Sequence, residues 1–426
     1  MKHLKVLITS SYYWPEGAGT APYLTSLAEY LSSRGHEVIV GTTFAHYPDW
    51  RSSANGRAML TEVRAGVKIR RRAQFVPWRQ SAAQRALYEA TLLASGLTAL
   101  PLRGRPDVVI GTCPSLAAGM LASAGSIAYR VPCGLIFQDL MGLAARQSGV
   151  AGGDRVASVV RRMELAIARR AEGVAIIAEG FRTYFEAGGV APEKIVRLRN
   201  WSRRVEPKEP REQTRARLGW PPGELVCLHG GNMGQKQGLG NILDAAALLD
   251  GERIRIVLAG DGNDRARLQA EASRRGLLGV EFLPMQGPGR WEELMQASDV
   301  LLVNQRASVA DMSLPSKLTS YFPAARPVVA AVSPDSETAR EIQSAQAGYV
   351  VAPEDPAALR DVLVSLRRDR SAATAFGDSV RRYATTHLSG QASLERHEQF
   401  VLAVASRTIR RAQNEPVAAA RSPYPT

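Results

Sequence analysis

The residues with most chemistry to offer lie between two apolar runs, in LVNQRASVADMSLPSKLTSYFPAARPVVAA (302–331). A buried strand over 300–303 leads into a loop ending in Leu314, Pro315, Ser316 and Lys317, then a short helix, then a strand over 328–332 opened by Pro327. Proline at the first helical position sacrifices no hydrogen bond, because that N–H has no intrahelical partner anyway. The free amides of such a turn, the positive end of the helix dipole, the hydroxyls of Ser313 and Ser316 and the ammonium of Lys317 together suit a phosphate. An ordinary capped strand-loop-helix connection has the same spacing, so the pattern alone leaves both readings open.

Two glycine loops could serve the same ligand. Gly17 and Gly19, in PEGAGTAPYL, follow the first strand and precede the first helix, where small residues let backbone amides approach closely. In HGGNMGQKQGLG, Gly230, Gly231 and Gly234 predict a flexible loop after a strand, with Asn232, Gln235 and Lys236 as polar arms for a diphosphate or sugar. The first is not a dinucleotide fingerprint, since the third glycine is absent and no acid follows the second strand's end. Asp139, preceded by Gln138 at a strand end, divides between work near a reaction centre and helix capping. Asp261 in AGDG divides between turn former and ligand contact, and His229 between ligand contact and structural hydrogen bonder. His36, in SRGHEV, reads as a turn residue only.

The elements that must position these groups alternate regularly. Strands are expected over 4–9, 37–42, 67–71, 108–111, 134–138, 173–177 and 195–198, with helices such as 23–34 and 155–170 between them, which predicts a parallel, helix-covered sheet. After the polar stretch NWSRRVEPKEPREQTRARLGWPPG the pattern restarts, with strands over 225–229, 254–259, 280–283, 300–303, 328–332 and 348–351. An α/β chain of 426 residues exceeds one core, so two Rossmann-like domains facing a cleft are expected, with ligand at the carboxyl ends of their strands. The boundaries read as 1–205, 206–385, a helix over 386–412 packing back on the first domain, and a disordered Pro- and Ala-rich tail over 413–426.

Charge is uneven. Residues 1–205 hold 27 Lys plus Arg against 14 Asp plus Glu, and the remainder 27 against 26. The basic half suggests an anionic neighbour, either lipid head groups or a pyrophosphate-bearing acceptor, and lacks the basic-aromatic motif of nucleic-acid recognition. The segment AAQRALYEATLLASGLTALPL (82–102) carries Ala86, Ala90, Leu93, Leu97 and Leu100 at helical spacing, which fits either a membrane interface or packing on its own domain. Cys113, Cys133 and Cys227 lie far apart, with neither ligand nor disulfide spacing. Without a signal-peptide pattern or a run of about 20 apolar residues, a cytoplasmic protein peripheral to the inner face of the plasma membrane is expected.

Taken in order, GNMGQKQGL, VLAGDGNDRARL, FLPMQ, ASDVLLVNQR, LPSKLTSYFPAARPVVAA and AGYVVAPEDPAAL resemble the family 4 retaining glycosyltransferases of GT-B fold, particularly the bacterial exopolysaccharide, colanic-acid type. YYWPEGAGTAPYLTSLAEYLSSRGHEVIVGT and LIFQDL are similar too, so the resemblance spans about residues 3–400. It implies transfer of a sugar from a nucleotide diphosphate, held by the C-terminal domain, to an acceptor such as an undecaprenyl-diphosphate-linked saccharide, without a metal cofactor. Carried over, Ser313, Leu314, Pro315, Ser316 and Lys317 neutralise the departing diphosphate. Gly231 opens a donor loop where relatives place an arginine and a lysine; here Asn232 replaces the arginine, Lys236 sits about one residue early, and Arg306 is expected to supply a second cation. Gly17 and Gly19 line the diphosphate, Asp139 and Gln138 face acceptor and donor sugar, and Met285 and Gln286 contact the base. Two glutamates of the family pattern fall on Met312 and Ser320; Asp311 lies one residue from the first, and Ser320 retains a single ribose hydrogen bond. Two alternatives stay open: a GT-B nucleotide-sugar epimerase, and a catalytically inactive sugar-nucleotide-binding partner of a glycan assembly complex.

Overall fold

The computed structural model describes residues 3–17, 19–47, 49–79, 81–100, 104–143, 153–202, 207–287, 289–308 and 316–409. Residues 309–315, which hold part of the expected phosphate-binding segment, and the tail expected to be disordered, 413–426, lie outside them. The chain forms two compact units, Met1–Asn200 with Gln391–Pro416, and a second containing Trp201–Gly390.

In the first unit the strands are β1 (Lys5–Thr9), β2 (Glu37–Thr43), β3 (Met59–Arg64), β4 (Val67–Arg72), β5 (Val108–Cys113), β6 (Cys133–Phe137), β7 (Gly173–Ile176) and β8 (Ile195–Arg197). They form one sheet in the order β3-β4-β2-β1-β5-β6-β7-β8, parallel except for β3. Helices α1 (Ala21–Ser33), α2 (Ala82–Leu97), α3 (Leu116–Tyr129), α4 (Gly153–Arg170) and α5 (Gly180–Ala187) connect them. Residues of β5, β6 and β7 are buried throughout, as expected of parallel strands covered on both faces.

Two expectations need correction here, and the reading of the 82–102 stripe, left open by the sequence, is narrowed. The sequence pattern missed β3, an antiparallel edge strand whose residues alternate exposed and half-buried. Its turn, Ala65 and Gly66, has φ of 48° and 78°, the paired positive values of a two-residue hairpin that matches strand twist. His36 is more than a turn residue: its Nδ1 accepts from Leu4 N at 3.1 Å, and its Nε2 lies 3.3 Å from Glu398. Glu398 belongs to α14 (Gly390–Ser406), which joins the first unit and buries Phe400 and Val404. In α2, the packed residues are Tyr88 and Leu92, whereas Ala86, Ala90 and Leu97 of the sequence stripe face outward.

The second unit contains α6 (Arg211–Arg217), β9 (Leu225–Asn232), α7 (Gly240–Ala247), β10 (Ile254–Asp261), α8 (Arg265–Arg274), β11 (Val280–Leu283) and α9 (Arg290–Ala297). It continues with β12 (Val300–Asn304), α10 (Ser316–Tyr321), β13 (Val328–Ala331), α11 (Glu337–Ser344), β14 (Gly348–Val351), α12 (Pro356–Arg368) and α13 (Arg370–His387). Alternate strand residues feed two cores. Val226, Leu228, Leu301 and Val328 face one side with Tyr321 and Phe322, while Cys227, Leu258, Leu302 and Val329 face the other with Leu243 and Leu363. The six parallel strands run β11-β10-β9-β12-β13-β14. Numbered along the chain, that is the order three-two-one-four-five-six of a doubly wound sheet, whose ligand crevice opens where the order reverses, between β9 and β12.

Candidate functional site

At that reversal the ladder is short. Only Val300 with Cys227 and Leu301 with Leu228 are in register, although β9 and β12 run on to Asn232 and Asn304. Helix α10 fills the interval with two residues one turn apart, Lys317 and Tyr321, which the i,i+4 spacing places on one face. Gly230 N donates to the Tyr321 hydroxyl at 2.9 Å, and that hydroxyl donates to Leu302 O at 3.3 Å, so a side chain bridges the strands where the ladder lapses. Tyr321 is fully buried, and burial raises its phenol well above the ordinary value. At position 230 a β-carbon would lie 1.7 Å from the Trp291 ring, so no larger residue fits.

Lys317 Nζ lies 3.1 Å from His229 Nε2. An ammonium can only donate, so with Lys317 charged the imidazole accepts at Nε2 and carries its proton on Nδ1. Burial, and then the Lys317 charge, push His229 well below its ordinary value. Burial lowers Lys317 itself to about 8. The pair is thus one cation held by a neutral acceptor, with charge still to be neutralised.

The rim of this crevice is braced by backbone. Asn304 Nδ2 donates to Gln237 O at 2.7 Å and Gly238 O at 2.9 Å, and its Oδ1 accepts from Asn241. Arg306 N donates to Lys236 O at 3.1 Å, so the two expected rim cations are brought together, both with exposed side chains. Gly231, at φ 103°, sits 3.6 Å from Lys317 Cε, measured from where its β-carbon would be. The expected flexible loop begins later than the sequence suggested: Gly230, Gly231 and Asn232 are the last residues of β9, and Asn232 pairs with Asp261 at the end of β10. Asp261 is therefore a strand end rather than a turn; its Oδ1 accepts from Gly262 N at 2.8 Å and its side chain is exposed. Ser320 is exposed on α10, three residues beyond Lys317. Met285, 59% exposed, and Gln286, whose Nε2 donates to Pro284 O, lie past β11 at the edge of the sheet, two strands from β9. Asp311, Ser313, Leu314, Pro315 and the Ser316 side chain lie outside the described residues.

In the first unit, Gly17 and Gly19 follow β1. Sequence reasoning missed the residue that shapes their loop. Buried Glu16 accepts from His46 N at 2.8 Å and Tyr47 N at 2.9 Å through Oε1, and from Tyr13 N at 3.2 Å through Oε2. Its charge is thereby spread over three amides, and the loop after β1 is tied to the loop after β2. Tyr47 in turn packs 3.3 Å from the position of a Gly19 β-carbon. The only sequence signal was an acid inside an otherwise uncharged glycine loop. Gln138 and Asp139 follow β6. The Gln138 amide is engaged with Asn200 in both directions, at 3.1 and 2.8 Å, so it anchors the chain more than it offers an open donor. Asp139 is exposed, and its Oδ1 accepts from Leu140 N at 2.9 Å. Buried Glu164 supports this turn, accepting from Met141 N, Gly142 N and the Tyr184 hydroxyl at 2.6, 2.9 and 2.7 Å. Burial raises that carboxyl above its ordinary range.

Among the described residues, no group of three His, Cys, Asp or Glu could hold a metal ion, and no helix is long and apolar enough to cross a membrane.

The chain is similar to known proteins in sequence and in fold. Residues 18–201 match the glycosyl transferase 4-like domain, and residues 210–383 match the glycosyl transferases group 1 domain. The chain is 31% identical over 331 residues to the putative colanic acid biosynthesis glycosyl transferase WcaI of Escherichia coli strain K12, covering 75% of this chain and 81% of that protein. Its fold matches sucrose-phosphate synthase of Thermosynechococcus elongatus at a TM-score of 0.69, with 16% identity over 95% of this chain and all of that one. Anabaena HepE, crystallised with UDP-glucose, matches at 0.64 with 17% identity, again over 95% of this chain and all of that one.

Proposed function

The chain belongs to the glycosyltransferases built from a 4-like and a group 1 domain, and we propose that it moves a sugar, with retention at the anomeric carbon, from a nucleotide diphosphate to a lipid-linked or other anionic acceptor. The observation that carries this reading is the Lys317 ammonium beside neutral His229 at the reversal point of the second sheet, where an open-sheet α/β fold takes its ligand. The GT-B arrangement of two doubly wound sheets is the fold of the relatives, and HepE with its UDP-glucose supports a nucleotide sugar as the co-substrate.

In the reaction, the bond from the anomeric carbon to the diphosphate oxygen breaks and one to the acceptor oxygen forms on the same face. The acceptor proton passes to the leaving phosphate oxygen, so no separate enzymic base is required. Lys317 stabilises the charge that develops on the diphosphate, with Lys236 and Arg306 as exposed cations at the ends of the same strands and Gly231 and Asn232 lining the donor; the resemblance adds Ser313, Leu314, Pro315 and Ser316 to the phosphate contacts. For the first unit, the family resemblance supports a role of Asp139 toward the sugar and of Gly17 and Gly19 toward the diphosphate. The reading calls for no metal ion.

The acceptor side is argued from charge and surface. WcaI is named for colanic acid biosynthesis, which supports a bacterial glycan as the product. The basic first half, together with the outward Ala86, Ala90 and Leu97 of α2 and Trp78 at 72% exposure, supports work at an anionic membrane face from the cytoplasmic side. A panel of nucleotide sugars tests the reading. Slow release of free sugar and nucleoside diphosphate is expected, whereas an isomerised nucleotide sugar would assign an epimerase, and inert binding would assign a partner protein.

A further inference from the structure

The opposite end of the second sheet carries an unbalanced set of arginines. Asp299 stands just before β12 and Arg326 just before β13, at the amino ends of the strands, away from His229 and Lys317. A cavity of about 260 Å³ opens there, lined by Asp299, Arg326, Arg370, Asp378 and Arg381 among others. Asp299 is already shared. It takes Arg211 at 2.6 Å, Arg215 at 3.1 Å and Arg370 at 3.1 Å, and accepts Val226 N at 2.8 Å.

Part of this charge is structural. The last carbonyls of α9 and its following turn accept from Arg211 (Gln296 O and Ser298 O), Arg215 (Ala297 O) and Arg326 (Gln296 O, 2.8 Å), as cations commonly do at a helix C-terminus. That role leaves Arg326 half used. Its Nε is buried without a hydrogen-bond partner, and no carboxylate pairs with it among the described residues. Arg381, exposed on α13, likewise makes no ion pair there. Burial, and then repulsion from Arg211, lower the Arg326 guanidinium to about 10. Three guanidinium groups, those of Arg326, Arg370 and Arg381, thus line the cavity against two carboxylates, one of which, Asp299, is shared with Arg211 and Arg215 as well.

We infer that this cavity binds a compact phosphate-class anion, inorganic phosphate or the terminal phosphate of a small phosphomonoester, gripped by Arg326 and Arg381. The anion's negative charge relieves the mutual repulsion of Arg326, Arg211 and Arg381, and its oxygens accept from guanidinium N–H groups of the cavity wall. The site is separate from the donor crevice, so it stands or falls independently of the transfer reaction. It also touches the chain that carries Lys317: Arg326 follows α10 by five residues, and Phe322 between them packs edge-on against Tyr383 of α13, ring centres 5.7 Å apart. An anion joining Arg326 to Arg381 braces that same helix.

Calorimetric titration with inorganic phosphate at constant ionic strength tests it, in a Lys317→Ala, Lys236→Ala, Arg306→Ala background that removes the donor-site cations. One saturable phosphate site is expected to remain, and Arg381→Gln, at an exposed unpaired position that folding does not need, is expected to weaken it at least roughly tenfold. Arg326→Lys, which keeps the charge but loses the planar fork, is expected to weaken it as well. Absence of saturable binding in that triple variant, or binding indifferent to Arg381→Gln, would overturn the assignment. Capture by phosphatidylglycerol vesicles that Arg381→Gln abolishes, with free phosphate having no effect, would overturn it too by giving these arginines to a membrane surface.

Discussion

Lys317 Nζ and His229 Nε2 stand 3.1 Å apart, and this contact joins the helix after β12 to the strand end of β9 across the point where the two strands stop pairing. The lysine must be charged to hold a diphosphate, and burial lowers it to about 8. Turnover per donor encounter, kcat/KM, is therefore expected to fall as pH rises through about 8. His229→Phe removes the acceptor while keeping the site dry, which disfavours the ammonium further. The basic limb of the pH profile should then move to lower pH; a limb that stays in place, or none in the parent enzyme, would remove the pair from the mechanism.

Tyr321 does with one hydroxyl what a backbone ladder does elsewhere, receiving Gly230 N and donating to Leu302 O. Tyr321→Phe leaves a buried amide unpaired, at a cost of roughly 1–3 kcal/mol. Urea unfolding of the two proteins measures this directly, and equal midpoints with equal slopes would show that the bridge contributes nothing.

Ser320 is exposed one turn from Lys317, where the family pattern calls for a carboxylate. Ser320→Glu restores a charged acceptor for a ribose hydroxyl, so donor affinity is expected to rise by about 1–3 kcal/mol, roughly fivefold or more. Unchanged or weaker donor binding would mean that this position does not face the ribose.

His397 of α14 is buried, with Nδ1 2.7 Å from Ser393 O, and burial lowers it from 6.5 to about 4. Its folded value lies below its unfolded one, so the unfolded chain binds more protons between those values. Stability from this group is complete above pH 6.5 and is lost as pH falls toward 4, by roughly 3 kcal/mol. His397→Gln should flatten that loss in urea titrations at pH 7 and pH 5; an identical acid sensitivity would place it on other groups.

Legibility tracked the kind of signal. Parallel strands appear in the sequence because they are continuous Val, Ile and Leu runs, and nearly all emerged within two residues of their expected ends. Edge strand β3 escaped because its Glu62 and Arg64 interrupt the apolar pattern, and because its turn is marked by one glycine only. The site divided similarly. Lys317, Gly231, Lys236 and Arg306 could be read from local pattern and resemblance, and the fold brings them to one sheet end. Glu16, Glu164, Asn304 and Tyr321 could not, since most of their partners lie 20 or more residues away and only the folded backbone shows which amides lack one. His36 looked like punctuation because its partner, Glu398, sits 362 positions along the chain.

The central claim is that a nucleoside diphosphate lodges at the β9 and β12 ends against Lys317. Titrating UDP and GDP into the parent protein and into Lys317→Ala tests it most directly. The account predicts at least roughly tenfold weaker binding of the recognised nucleotide, about 1.4 kcal/mol, in a variant whose unfolding is otherwise unchanged. Equal affinity in the two proteins would contradict it.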